Sequence, residues 1–122
     1  MLGSAARAAG LRLTLLCADL EAAPAIPLAS ASCAAVLVFR YLQRALAPEI
    51  VRVLRPGGLL LYETFTQAHR EIAEHPRNPA FLLEPGELPR LFSQLSVVRA
   101  EEARVTAPAP EVVARLVARK AR

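Results

Sequence analysis

The sequence predicts an α/β domain of three layers on a mixed sheet, with parallel strands on one side and a C-terminal antiparallel hairpin on the other. Three observations predict it. Two continuous apolar runs, Ala34 to Phe39 and Leu59 to Tyr62, are joined by a connection long enough for a crossover helix, the requirement of a parallel pair. Within that connection Leu46, Ile50, Val53 and Leu54 recur at i, i+4, i+7 and i+8, one face of a helix. Near the end of the chain Leu95–Ala100 and Val112–Ala118 have alternating character and flank a loop holding Pro108 and Pro110, which reads as a hairpin closing one sheet edge.

The elements follow in order. Ser4 to Ala9 is Ala-rich and reads as the last turns of a helix, with Gly10 in the position just past its end. Leu11 to Cys17 alternates and then turns continuously apolar, and Asp19-Leu20-Glu21 marks its carboxyl end. Arg7 before this apolar stretch imitates a targeting signal, but Arg12 interrupts it and acidic residues follow, so a buried strand is the reading. Ala22 to Ser32 carries Pro24 and Pro27 and reads as a loop. Ala34–Phe39 is expected to be buried on both faces, as all-apolar parallel strands are. Pro48 fits the next helix only in its first turn, and Pro56-Gly57 are expected to stop it. Glu63 to Thr66 would close the second strand on the ligand side. Gln67 to Leu83 is polar and irregular, with a short helix possible before Glu74, and a helix starts near Pro85-Gly86-Glu87.

Composition narrows the class. The 122 residues are 54% hydrophobic and 5% aromatic, so small aliphatic side chains must fill one modest core. The net charge of +4 gathers partly at Arg115, Arg119, Lys120 and Arg122. Nucleic-acid binding is not expected, because no aromatic residue accompanies that tail. The longest apolar run, Cys33 to Phe39, is too short for a bilayer span, so no membrane is expected. Cys17 and Cys33 form neither a disulfide framework nor a metal spacing, and a reduced cytoplasmic setting fits them.

Residues at the carboxyl ends of parallel strands are the candidates for ligand contact. Read alone, Asp19 is a turn aspartate or a hydrogen-bond acceptor, and Phe39 is a core residue or a crevice wall. Tyr41 packs on the following helix or shapes a pocket beside Arg40. Glu63 touches a ligand, caps a helix near Thr66 or pairs with an arginine, and Thr64 stands beside it. His69 and His75 are expected to be exposed in a polar loop, and their spacing suits no metal. Arg77 and Asn78 belong to a turn around Pro76 and Pro79, or to a lid.

The order of Asp19-Leu20-Glu21, Arg40-Tyr41-Leu42, Tyr62-Glu63-Thr64-Phe65, Arg77-Asn78-Pro79, Phe81 to Leu88 and Leu116 to Lys120 resembles class I S-adenosylmethionine-dependent methyltransferases, in particular the tellurite-resistance-type subgroup. The resemblance implies a partial Rossmann-like methyltransferase fold. It implies S-adenosylmethionine as cofactor and a small molecule or an oxyanion as methyl acceptor. It also implies that Asp19, Leu20 and Phe39 contact the cofactor, while Arg40, Tyr41, Glu63 and Thr64 face the substrate. The family's N-terminal strands and glycine-rich loop have no counterpart, since Gly3 and Gly10 form no such loop. A truncated chain that is weak or inactive alone is therefore expected, with no cofactor binding at micromolar concentration. The alternative is a non-catalytic remnant or a binding module completed by a partner. Leu11–Cys17 would lack neighbours, and self-association through that strand is expected.

Overall fold

The computed structural model describes residues 25–106 and 108–122. The expectations on Leu11–Cys17, Asp19 and Leu20 lie outside these residues. Four strands form one mixed sheet: β1 (Cys33–Phe39), β2 (Leu54–Phe65), β3 (Ser96–Val105) and β4 (Glu111–Arg119). Their order is β1-β2-β4-β3. β1 and β2 are adjacent and parallel, in the register Ala35↔Leu59 to Phe39↔Glu63. β4 lies antiparallel to β2 on its far side, and β3 antiparallel to β4. The expected parallel pair and closing hairpin are both present.

Helix α1 (Ala47–Val53) carries the crossover, entered through a 3-10 turn over Arg44–Leu46. Pro48 sits in the first turn, where a missing N–H is harmless. Leu46, Ile50, Val53 and Leu54 are all buried, so the apolar stripe packs on the sheet. On the polar side Arg52 pairs with Glu49 and donates to the carbonyls of Ile26 and Leu28, while the Ile26 N–H donates to Glu49. The loop entering β1 is thereby fastened to α1. Helix α2 (Glu87–Leu91) starts after Gly86, whose φ of +70° is one that glycine takes without strain.

The Pro-Gly-Gly segment corrects one expectation. α1 ends at Val53, before the prolyl residue, and Leu54 to Gly58 already belong to β2. Proline pushes its predecessor, Arg55, toward extended backbone, and Leu54 one residue earlier is already extended and completely buried. The extra residues form a bulge, for β2 advances from Leu54 to Leu59 while β1 advances from Cys33 to Ala35. Gly57 has φ of +81°, and a Cβ on Gly58 would stand 2.8 Å from the Arg55 carbonyl oxygen. The C-terminal strand secures this bulge. Lys120 Nζ donates to the carbonyls of Val51 and Leu54 at 2.7 Å each, which satisfies orphan acceptors at the end of α1. Arg119 donates to the Gly57 carbonyl.

Burial corrects a second expectation. One sheet face, with Leu60, Tyr62, Thr64, Ala114, Leu116 and Ala118, is covered by α1, α2 and the turns beside them. β1 is not buried on both faces: Val36 and Val38 pack on that core, whereas Leu37 and Phe39 are 48% and 55% exposed. Among the described residues the helices occupy one layer, and successive side chains of a strand point to opposite faces. Leu59, Leu61, Glu63 and Phe65 therefore occupy the less covered side of β2 and are only half-buried.

Candidate functional site

β1 and β2 run parallel, so their carboxyl ends open at the same edge of the sheet. The ladder ends where the Arg40 N–H donates to the Glu63 carbonyl at 2.9 Å. Arg40 then turns through φ of +56°, a left-handed conformation costly for a side chain other than glycine. That turn redirects the chain away from the sheet. Behind it lies a cavity of about 230 Å³ lined by Arg40, Tyr41, Leu42, Thr64, Phe65, Pro76 and Phe81.

The site residues expected from the sequence separate into two groups. Arg40, Tyr41 and Thr64 come together on this cavity. Phe39 and Glu63, paired in register, lie on the less covered face of the sheet instead. Alternation sets Glu63 and Thr64 on opposite faces of β2, and Phe65, on the same side as Glu63, borders the cavity from the end of the strand. Glu63 resolves in favour of an arginine partner: its carboxylate accepts from Arg115 Nε, and Arg115 also reaches Glu101 at 3.5 Å. This row of two carboxylates and one guanidinium crosses three strands. Asp19 and Leu20 lie outside the described residues.

The cavity walls are held from three directions. Arg40 forms a two-pronged ion pair with Glu111 and lies over the Phe65 ring, 5.6 Å from its centroid. Glu111 holds the guanidinium above its already high pKa, against the opposing effect of desolvation. The Tyr62 hydroxyl donates to the Tyr41 carbonyl at 2.6 Å, and burial pushes this phenol far above its usual range, so it stays a donor. The Tyr41 hydroxyl donates to Gln43. Arg44 fastens the outer loop by pairing with Glu87 and donating to the carbonyls of Ala80 and Leu82. Those carbonyls flank Phe81, so the clamp fixes the aromatic at the cavity mouth.

His69 corrects the expectation of an exposed loop histidine. It is 4% exposed, stacks on Phe65 at 4.3 Å between ring centroids, and its Nδ1 accepts from the Val112 N–H at 3.1 Å. Burial follows because a backbone donor of β4 needs a partner where the ladder with β2 ends. His75, Arg77 and Asn78 are exposed, and Asn78 accepts from the Ala80 N–H. Sequence reasoning missed Glu111, Phe65, Pro76 and Phe81. Glu111 reaches Arg40 only because of the β2–β4 register, which pairs Phe65 with Val113. The aromatic spacing of Phe65 and Phe81 within a polar stretch was the available signal for the other walls.

Among the described residues no group of His, Cys, Asp and Glu could hold a metal ion, and no helix is long and apolar enough to cross a membrane.

No protein-family model matches the sequence, and no curated protein matches it. Solved structures do. A SAM-dependent methyltransferase from Methanosarcina mazei superposes with a TM-score of 0.60 at 16% identity, over 80% of this chain and 63% of that one. TehB from Haemophilus influenzae gives a TM-score of 0.66 at 14% identity, over 98% of this chain and 45% of TehB. The cyclase SpnF gives 0.68 at 17% identity, over 98% of this chain and 60% of SpnF. The chain thus spans less than two thirds of each of these neighbours. A cyclase among them shows that this architecture does not dictate one reaction. Taken with the parallel pair, the crossover helix and the closing hairpin, these likenesses show that the chain has the Rossmann-like fold of S-adenosylmethionine-dependent methyltransferases.

Proposed function

We propose that the chain is an S-adenosylmethionine-dependent methyltransferase domain acting on a small molecule or oxyanion, weak or inactive alone. The observation that carries this reading is the cavity of Arg40, Tyr41 and Thr64 at the carboxyl ends of the parallel pair, the place where open α/β sheets take their ligands. S-adenosylmethionine would supply a methyl group activated by a sulfonium.

The described residues fit part of such a cofactor. Phe39 offers an uncovered aromatic surface at the end of β1, and the Glu63 carboxylate paired with it in register is an acceptor of the sign that a cationic sulfonium attracts. Asp19 and Leu20 are proposed as further contacts. The cavity side chains bind and orient the acceptor, and methyl transfer draws mostly on such positioning. No general base is therefore required among the cavity residues.

Ligand-observed NMR with S-adenosylmethionine and the full chain tests the reading. Saturable binding is expected, weaker than micromolar, and Phe39→Ser should weaken it about tenfold without changing stability. Absence of binding at millimolar cofactor would overturn the methyltransferase reading in favour of a non-catalytic binding module. Micromolar affinity would overturn the expected weakness.

A further inference from the structure

The cavity discriminates between the two acceptor classes left open above. We infer that it takes a neutral molecule of one aromatic ring and rejects oxyanions. The inference rests on the methyltransferase reading only for the ligand's role as acceptor; the binding itself requires no cofactor.

Charge comes first. Among the described residues Arg40 is the one ionised side chain in the cavity wall. An oxyanion would require that guanidinium as its partner, since a fork of N–H donors matches paired oxygens. The fork is already occupied, because Arg40 presents both terminal nitrogens to the two oxygens of Glu111. An anion competing for Arg40 would have to break this two-pronged pair, whose carboxylate has only 12% of its side chain exposed. Glu63 adds a second, weaker attraction for the same guanidinium. An entering anion would therefore meet a cation already neutralised by Glu111.

The remaining walls favour a ring. Leu42, Phe65, Pro76 and Phe81 supply apolar surface, and Phe81 is 45% exposed although the Arg44–Glu87 clamp holds its loop in place. A large apolar side chain held in the open at a cavity mouth is available to a ligand without further ordering. The Thr64 hydroxyl adds a polar group suited to one hydroxyl or amine on the ligand. The volume of about 230 Å³ falls below the roughly 300–1,000 Å³ of sites for drug-sized ligands, which limits the occupant to a single ring.

Phenol and benzoate separate charge from shape, because both are single rings and only benzoate is ionised at neutral pH. Amide NMR titrations of the full chain, without cofactor, should show phenol shifting Thr64, Phe65 and Phe81. Benzoate should bind at least about tenfold more weakly. Glu111→Gln frees Arg40 and should raise benzoate affinity about tenfold while changing phenol affinity little. Phe81→Ala, at an exposed position, should weaken phenol several-fold without loss of fold, so the ring contact remains testable if Glu111→Gln unfolds. Equal affinity of the native chain for benzoate and phenol would overturn the inference, as would phenol shifts confined to other surfaces or no phenol binding at all. A chain that binds phenol here but no S-adenosylmethionine would leave this inference standing and remove the methyltransferase reading. The reverse result would remove this inference alone.

Discussion

The two faces of the sheet are built from the same kinds of residue and behave differently. On one face Leu60, Tyr62, Leu116 and Ala118 lie under α1 and α2 and form the core. On the other, Leu37 and Phe39 meet solvent, and Glu63, Arg115 and Glu101 form an ionic row across the strands. Leu60 and Leu61 are neighbours in sequence and identical in chemistry, yet one is fully buried and the other half-buried. Stability is concentrated on the helix-covered face, whereas the carboxyl edge and the less covered face hold the surfaces available to ligands.

Truncating one leucine on each face is the severest way to break this comparison. Leu60→Ala should cost about 2–5 kcal/mol, because a buried leucine leaves a cavity in a packed core. Leu61→Ala should cost about 1 kcal/mol, since part of its apolar area already meets water. Chemical denaturation of both variants checks the pair. Equal losses would show that the two faces are energetically alike.

A smaller effect sharpens the comparison at the cavity rim. Hydrogen bonds from Arg44 hold the Glu87 carboxylate below its ordinary pKa, against a desolvation effect that raises it, and the Glu84 N–H also donates to it. A depressed folded pKa contributes stability above the unfolded value, about 4.3, which is lost as pH falls through the folded value. Arg44 is 38% exposed, so solvent screening limits the contribution to about 1 kcal/mol. Acid titration of unfolding should therefore show stability declining below about pH 4.3, less steeply in Glu87→Gln. Identical acid profiles for the two proteins would show that this clamp carries no stability.

Much of this architecture was legible in the chain. The spacing of Leu46, Ile50, Val53 and Leu54 foretold which helix face packs on the sheet, and the order of apolar runs foretold the parallel pair and the hairpin. Periodicity is a local signal, and these features depend on local spacing. Three features depend on distant partners. An all-apolar β1 is compatible with one covered face or two, and only tertiary packing decides. His69 is buried because the Val112 N–H requires an acceptor, and Glu111 meets Arg40 because of strand register. Neither partner is marked by any spacing in the sequence. Arg40, Tyr41 and Thr64 were foreseen at the ligand side, and the structure places them on one cavity; Phe39 and Glu63 lie on the less covered face.

Mapping the cofactor on the amide NMR spectrum of the full chain tests the central claim most directly. Titration with S-adenosylmethionine should shift Phe39, Arg40 and Glu63 at the carboxyl ends of β1 and β2, and leave Leu88 to Leu91 of α2 and the amides of β3 unmoved. Shifts centred on α2 or β3, with the ends of β1 and β2 unaffected, would contradict a methyltransferase site at the carboxyl edge of this sheet.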